Sequence, residues 1–276
     1  MVLVLTPLIC VMILSLLLLL PLVDRVSSAT TATVDGDFLL LDEVPHDRSS
    51  FTQGLTWDGK RLFESSGLYS KSSIRQISPT TGAVLRKRNY VSSDFAEGIT
   101  FFENAGGKKR IMGITWKERN GYIFDPDTLQ KIRTFKYNTN TSEGWGITYN
   151  NRTQEFLVTD GSNWLHFWDR DTLKEKRRIP VKGGRTPSLL RAQSSLNELE
   201  LMHGGKYVLA NVWKTDRIVK INIQNGMVET QYDFSTLYPN RAASSDVLNG
   251  ISKTNVVGEY WMTGKLWPKM YRVRLL

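Results

Sequence analysis

The sequence predicts an all-β fold, a single-domain five-bladed β-propeller preceded by an N-terminal apolar targeting segment. Three observations carry this. First, a polar or aromatic residue followed by an apolar step recurs five times: Gln53-Gly54-Leu55-Thr56, Glu97-Gly98-Ile99-Thr100, Trp145-Gly146-Ile147-Thr148, Asn197-Glu198-Leu199-Glu200 and Asn249-Gly250-Ile251-Ser252. The intervals are roughly 44 to 52 residues, the range of propeller repeats. Second, each step opens a series of short β-type runs separated by turn residues. Third, eight Trp, ten Tyr and eleven Phe lean the composition toward β structure and an aromatic-lined pocket.

The first repeat reads as strands Phe51–Trp57, Arg61–Ser65, Ser72–Ser78 and Ala83–Lys87, with turns at Asp58-Gly59 and Pro79–Gly82. The second reads as Gly98–Phe102, Arg110–Trp116, Gly121–Phe124 and Lys131–Phe135. The third reads as Gly146–Tyr149, Glu155–Thr159, Trp164–Trp168 and Lys174–Ile179. These two share an Asp-x-Asp-Thr-Leu turn at the same place, Asp125–Leu129 and Asp169–Leu173. The fourth gives Glu198–Met202, Tyr207–Asn211, Arg217–Ile223 and Met227–Tyr232. The fifth has three strands, Gly250–Ser252, Gly258–Thr263 and Met270–Leu275, before the sequence stops. Phe38–Glu43 is the candidate for its missing outer strand, which would close the ring with one strand from each end and leave no open edge. Pro180–Ser195, with Gly183-Gly184 and Pro187, reads as a surface loop.

Residues 1–29 read as a signal peptide or signal anchor, 30–37 as a polar linker and 38–276 as the propeller. Met1–Val23 carries no charged side chain and is long enough to span a bilayer. Ser27-Ser28-Ala29 after it has the character of a cleavage site, so the segment is either removed or retained as an anchor. Both readings place the propeller in the secretory pathway: the ER lumen, a vacuole, the exterior, or a membrane anchor facing one of these. Asn140 and Asn151 open the sequons Asn140-Thr141-Ser142 and Asn151-Arg152-Thr153 and are the glycosylation candidates. The single cysteine, Cys10, lies in the targeting segment, so the propeller is expected to rest on its core without a disulfide.

The formal net charge of +9 favours anionic partners, wall polymers or membrane faces. No basic run exceeds three residues and no basic–aromatic motif appears, which speaks against nucleic acid. His46, His166 and His203 share no ligand-like spacing, so no metal is expected in catalysis, while a structural ion in the channel stays open. Neither a serine elbow nor a phosphate-cradling glycine loop is present. A membrane role is expected only through Met1–Val23, and a closed ring suggests a monomer.

If the five steps are innermost strands, Gln53, Glu97, Trp145, Asn197 and Asn249 meet near one axis. Antiparallel pairing brings the ends of the second strands, with Trp116, Trp213 and Lys265, to the same mouth. At this point the motifs resemble a known family, the plant-type glutaminyl-peptide cyclotransferases, or glutamine cyclotransferases. The segments that carry the resemblance run in order from Val44-Pro45-His46-Asp47 through Phe51-Thr52-Gln53-Gly54-Leu55, Glu64–Tyr69, Phe95-Ala96-Glu97-Gly98-Ile99-Thr100, Thr115-Trp116-Lys117, Glu143-Gly144-Trp145-Gly146, Asp160-Gly161-Ser162, Asn197–Glu200, Ala210–Trp213 and Val247–Ile251 to Thr263–Pro268. One departure is Ala96, which stands where the family carries glycine; alanine matters there only if the backbone needs a positive φ.

The resemblance implies a five-bladed propeller that converts N-terminal glutaminyl residues of peptides and proteins to pyroglutamyl residues with release of ammonia, with no cofactor required for catalysis. The expected catalytic residues are Glu97 as proton carrier, Gln53 and Asn197 as orienting amides, and Lys265 on the oxyanion. Phe51, Phe95, Trp116, Trp145 and Trp213 are the expected substrate walls. A glutamate at a strand start is by itself more often a surface group, and the tryptophans alone would read as packing between blades. Asn249 is held outside the catalytic set, as a residue that caps backbone groups. The alternatives are a catalytically silent propeller that binds peptides or cell-wall glycans, and a metal-dependent lactonase, which the lack of clustered carboxylates disfavours.

Overall fold

Five sheets form in the order the repeats dictate. The structure, a computed structural model, describes residues 33–183 and 190–276. The targeting segment expected over residues 1–29 lies outside them. Blade I comprises Thr52–Trp57, Leu62–Ser66, Ser73–Ile77 and Val84–Asn89 from the axis outward, and blade II Ala96–Glu103, Lys109–Thr115, Asn120–Phe124 and Lys131–Lys136. Blade III comprises Ile147–Asn150, Glu155–Val158, Trp164–Asp169 and Glu175–Pro180. Blade IV comprises Leu196–Leu201, Tyr207–Val212, Arg217–Asn222 and Val228–Asp233. Blade V takes Leu248–Lys253, Glu259–Gly264 and Lys269–Leu275 from the C-terminus and Phe38–Pro45 from the N-terminal side, paired from Phe38 with Leu275 to Pro45 with Lys269. The innermost strands touch in a closed cycle, with blade V against blade I. There is no helix among the described residues.

Two expectations need revision. The stretch read as a linker contributes a fifth strand to blade V: Thr33–Asp35 pairs with Phe38–Leu40 and covers the outer edge of that sheet. The stretch read as a loop over Pro180–Ser195 contains a short ladder, Lys182–Gly183 against Arg191–Ala192, with residues 184–189 outside the described set. Both were hidden because polar residues on edge strands carry no apolar alternation.

The core is five clusters, one at each junction between blades. Phe63 and Ile74 pack on Ile99, Ile111 and Phe124 between blades I and II. Between blades III and IV, Leu157, Leu165 and Phe167 meet Leu199 and Val208. Their sequence neighbours Phe156, Val158 and Trp168 point the other way, to the junction of blades II and III. Both faces of each sheet are therefore buried, so the middle strands read as nearly continuous apolar runs.

The shared Asp-x-Asp-Thr-Leu turns have one geometry. Asp125 Oδ1 accepts the amides of Asp127 and Thr128, and Asp169 Oδ1 those of Asp171 and Thr172. Leu129 and Leu173 then take φ of 57° and 58° and drop into the core. The aspartate supplies the local bonds that hold the turn, and burial of the leucine offsets the left-handed backbone.

The glycine of the repeated step has a steric cause. A Cβ on Gly98 would lie 2.7 Å from the Ile147 nitrogen of the next blade, and Gly98 N donates to Trp145 O at 2.8 Å. A Cβ on Gly146 would lie 2.2 Å from Asn197 O. Blade IV carries Glu198 at this place instead. Its buried carboxylate crosses the channel and accepts Leu55 N at 3.2 Å and Ile251 N at 2.9 Å, joining blade IV to blades I and V. Burial pushes the Glu198 carboxyl up, against the two amides that favour its charge.

Candidate active site

Four of the five innermost strands begin with a ladder irregularity, between Thr52 and Gly54, Ala96 and Ile99, Leu196 and Leu199, and Leu248 and Ile251. These intervals contain Gln53, Glu97, Asn197 and Asn249. A bulge re-aims side chains at a sheet's end, and here it accompanies a ring of polar groups at one channel mouth. The second strands deliver their residues through a repeated backbone bond: Trp116 N donates to Phe95 O, Trp213 N to Ser195 O and Lys265 N to Val247 O, at 2.8–2.9 Å. The residue after Trp213 and the one after Lys265, Lys214 and Leu266, take φ of 62° and 61°, a left-handed step that ends each strand at the rim. Ala96 does not have positive φ, so the departure from glycine leaves the backbone unstrained.

All nine residues singled out in the sequence line one cavity of about 330 Å³. Glu97 is 5% exposed and accepts a hydrogen bond from Gln53 Nε2 at 3.0 Å. Gln53 Oε1 in turn accepts from Asn249 Nδ2 at 3.3 Å, and the same Asn249 amide reaches Thr52 O at 3.0 Å. Asn249 therefore does cap backbone, as its sequence suggests, and it also fixes which end of the Gln53 amide faces Glu97. The Asn197 side chain is buried, and its Oδ1 has no hydrogen-bond partner.

Burial pushes the Glu97 carboxyl well above the ordinary carboxylate range. The Lys265 charge opposes this shift, and the Glu143 and Glu118 charges add to it. Burial likewise lowers Lys265, against Glu97 and Asp246. The Lys265 ammonium lies 4.6 Å from the Phe51 ring centroid and forms no hydrogen bond or ion pair among the described residues. Trp267, two residues on, is fully buried and donates to Asp246 O. A cationic donor left unpaired beside a neutralisable acid suits a developing oxyanion.

The walls are ordered by groups the sequence reading passed over. Glu143 Oε2 accepts both indole N–H groups, from Trp116 at 2.7 Å and Trp145 at 2.9 Å. Trp145 meets Trp213 edge-to-face at 5.3 Å, and Phe95 meets Trp116 at 5.6 Å and Phe51 at 6.1 Å. Tyr69 packs on Phe95 at 5.3 Å and donates to Glu118, whose other oxygen accepts Phe95 N at 3.2 Å. Trp213 forms the outer lip, 37% exposed, with Lys214 over its ring. Below the mouth, Glu64 Oε1 accepts from Ser50, from Thr52 and from His46 Nε2, anchoring the strand that carries Gln53. Burial works against both charges of that pair, yet their attraction raises His46 and lowers Glu64. Glu143, Glu118 and Glu64 sit inside the family-like segments or beside them; what no sequence feature marked was the partner each one meets.

Among the described residues no group of three or more His, Cys, Asp or Glu is placed to hold a metal ion. Asn140 and Asn151 are both exposed. Asn140 Oδ1 accepts from Arg178, and Asn151 stands in the turn that begins at Asn150.

Comparison with known proteins places this geometry. The chain is 33% identical over 240 residues to the glutaminyl-peptide cyclotransferase of Arabidopsis thaliana, an alignment that spans 84% of this chain and 69% of that one. The crystal structure of Myxococcus xanthus glutaminyl cyclase superposes with a TM-score of 0.73 at 30% identity, covering 86% of this chain and 95% of that one. A family model described as glutamine cyclotransferase matches residues 13–275. With that match running through all five blades and every residue of the mouth, the chain belongs to the glutamine cyclotransferase family.

Proposed function

We propose that this chain is a glutaminyl-peptide cyclotransferase that closes the N-terminal glutamine of peptides and proteins to pyroglutamate. The observation that carries the reading is a buried glutamate that accepts from an amide donor and shares an aromatic-lined cavity with an ammonium that has no ion-pair partner among the described residues. The substrate's first side chain lies against Trp116, Trp145 and Trp213, which hold it folded so that its α-amine reaches its own side-chain amide carbon. Contact of the reacting groups in one bound molecule supplies a large part of the barrier reduction. As the amine nitrogen bonds to that carbon, Glu97 takes the amine proton. The oxyanion of the tetrahedral intermediate faces Lys265. The bond to the amide nitrogen then breaks, Glu97 returns its proton to that nitrogen, and ammonia leaves. A carboxyl raised by burial suits both halves, because it is a stronger base than an exposed glutamate and still acidic enough to give the proton back. Gln53 and Asn197 orient the amine and the amide.

The test is incubation with a Gln-initiated peptide. Ammonia release with the matching mass loss is expected, and an Ala-initiated control stays unchanged. A folded protein that binds the Gln peptide without converting it refutes the reading in favour of a silent binder. We further infer that the propeller acts within the secretory pathway, on the strength of Met1–Val23, and needs no partner to seal its closed ring.

A further inference from the structure

The basic character of the chain is not spread evenly over the ring. The outermost strands of blades I and II, Val84–Asn89 and Lys131–Lys136, carry Arg86, Lys87, Arg88, Lys131 and Arg133. None of these five forms an ion pair with a carboxylate among the described residues; Lys131 instead lies over the Tyr122 ring. Each of the two strands also has a ladder shift at the same place. In blade I, Ile77 pairs with Val84 and Gln76 with Arg86, so Leu85 is left over. In blade II the shift lies between Lys131 and Arg133, so Ile132 is left over. The extra residue of a bulge is free to leave the sheet. Leu85 is 56% exposed and Ile132 50%, and Val84 beside them is also exposed.

The equivalent place differs in the other blades. Blade III carries Lys176 there, and its cations are paired: Lys176 and Arg177 with Glu155, and Arg178 with Glu175. Blade IV carries Glu229, in a strand that ends at Asp233. In blade V the equivalent shift leaves out Leu41, which is half-buried beside the acids Asp42 and Glu43, and Thr33–Asp35 pairs along the edge as far as Leu40. Two adjacent blades thus present aliphatic tips set among unpaired cations, and the other three do not. Protection of an open strand edge accounts for the charge but not for the exposed Leu and Ile. A soluble polyanion likewise gains little from them.

We infer that the rim of blades I and II docks on an anionic lipid bilayer, with Leu85 and Ile132 entering the headgroup region and Arg86, Lys87, Arg88, Lys131 and Arg133 meeting acidic headgroups. Apolar tips flanked by cations fit the one surface in which negative charge lies directly above hydrocarbon. Because these strands are the outermost of their blades and Glu97 stands on an innermost strand, docking by the rim leaves the mouth at Glu97 open.

The test uses the full chain in a Cys10→Ser background, labelled through Leu85→Cys, or at Gln231→Cys on blade IV, with a polarity-sensitive fluorophore. Vesicles of neutral phosphatidylcholine alone control for insertion of the N-terminal apolar segment. The expected result is a blue shift at position 85 with vesicles containing phosphatidylglycerol, absent with neutral vesicles, reversed by high salt, and not seen at position 231. Arg86→Glu with Arg133→Glu should weaken the response at least tenfold while turnover of a Gln-initiated peptide is unchanged. No shift at position 85, or equal shifts at both labels, overturns the inference. So does the same response to soluble dextran sulfate together with unaltered vesicle affinity in Leu85→Ser/Ile132→Ser, since that outcome assigns the rim to a soluble polyanion.

Discussion

Gln53 donates to Glu97 from one end of its amide and accepts from Asn249 at the other, at 3.0 and 3.3 Å. The donor end is therefore turned toward the acid by a residue from blade V, and the orientation of a group in blade I depends on closure of the ring. The site is assembled by the same contacts that seal the propeller.

Glu97→Gln should keep the fold and lower kcat by about 10²–10⁴, the range for loss of a proton-transfer group. Ammonia release measures this directly. Thermal stability adds a check with a defined sign. The folded carboxyl is raised above its unfolded value, so the wild type has its full stability at low pH and loses part of it as pH climbs through the folded pKa. The melting temperature of the variant relative to wild type should therefore rise with pH from about 4 and level off above the native pKa. A flat difference across that range would mean that the carboxyl is not raised.

Lys265→Met should reduce kcat by roughly 10²–10³, as for other oxyanion donors, with a smaller effect on KM. The Lys265 charge also favours the anionic form of Glu97, so its removal should move the acidic limb of the kcat/KM profile to higher pH. Steady-state kinetics from acid to neutral pH separate the two effects.

Glu143 should be a positioning residue, because its single oxygen holds two indoles while its charge pushes Glu97 up. Glu143→Gln keeps an acceptor and removes the charge, so the acidic limb should move to lower pH with KM nearly unchanged. Glu143→Ala releases both walls and should raise KM by about tenfold or more, the scale of a lost hydrogen bond to a charged group. Altered tryptophan emission should accompany the second variant and not the first.

Gly98→Ala tests the junction of blades II and III. Its Cβ would meet backbone atoms 2.7 and 2.9 Å away, and neither neighbour can yield without shifting a strand. A loss of about 1–3 kcal/mol is expected, as for other overpacked sites, read as a lower melting temperature. Because residue 97 is adjacent, kcat should fall as well.

How much of this was legible in the sequence follows from which residues repeat. The five steps that begin at Gln53, Glu97, Trp145, Asn197 and Asn249 are set by two demands: glycine where inner strands nearly touch, in every blade but IV, and a polar or aromatic residue where the strand opens at the mouth. Repetition made both visible. The linker and loop readings differ from the structure because edge strands such as Thr33–Asp35 pair on one side only and are short, so their sequence carries no apolar alternation to mark a strand.

The sequence by itself determined the number of blades and the closure by a strand opening at Phe38, because both are written in local pattern and period; the nine side chains at the mouth followed from the repeat register taken together with the family resemblance. Only the tertiary structure decided their partners: that Glu143 gathers two indoles from different strands, that Glu198 reaches blades I and V across the channel, and that Asn249 rather than a neighbour in sequence turns Gln53. Apart from the bond between Glu143 and its near neighbour Trp145, those contacts join residues far apart along the chain. They exist only once the ring has closed, and no spacing within a single repeat encodes them.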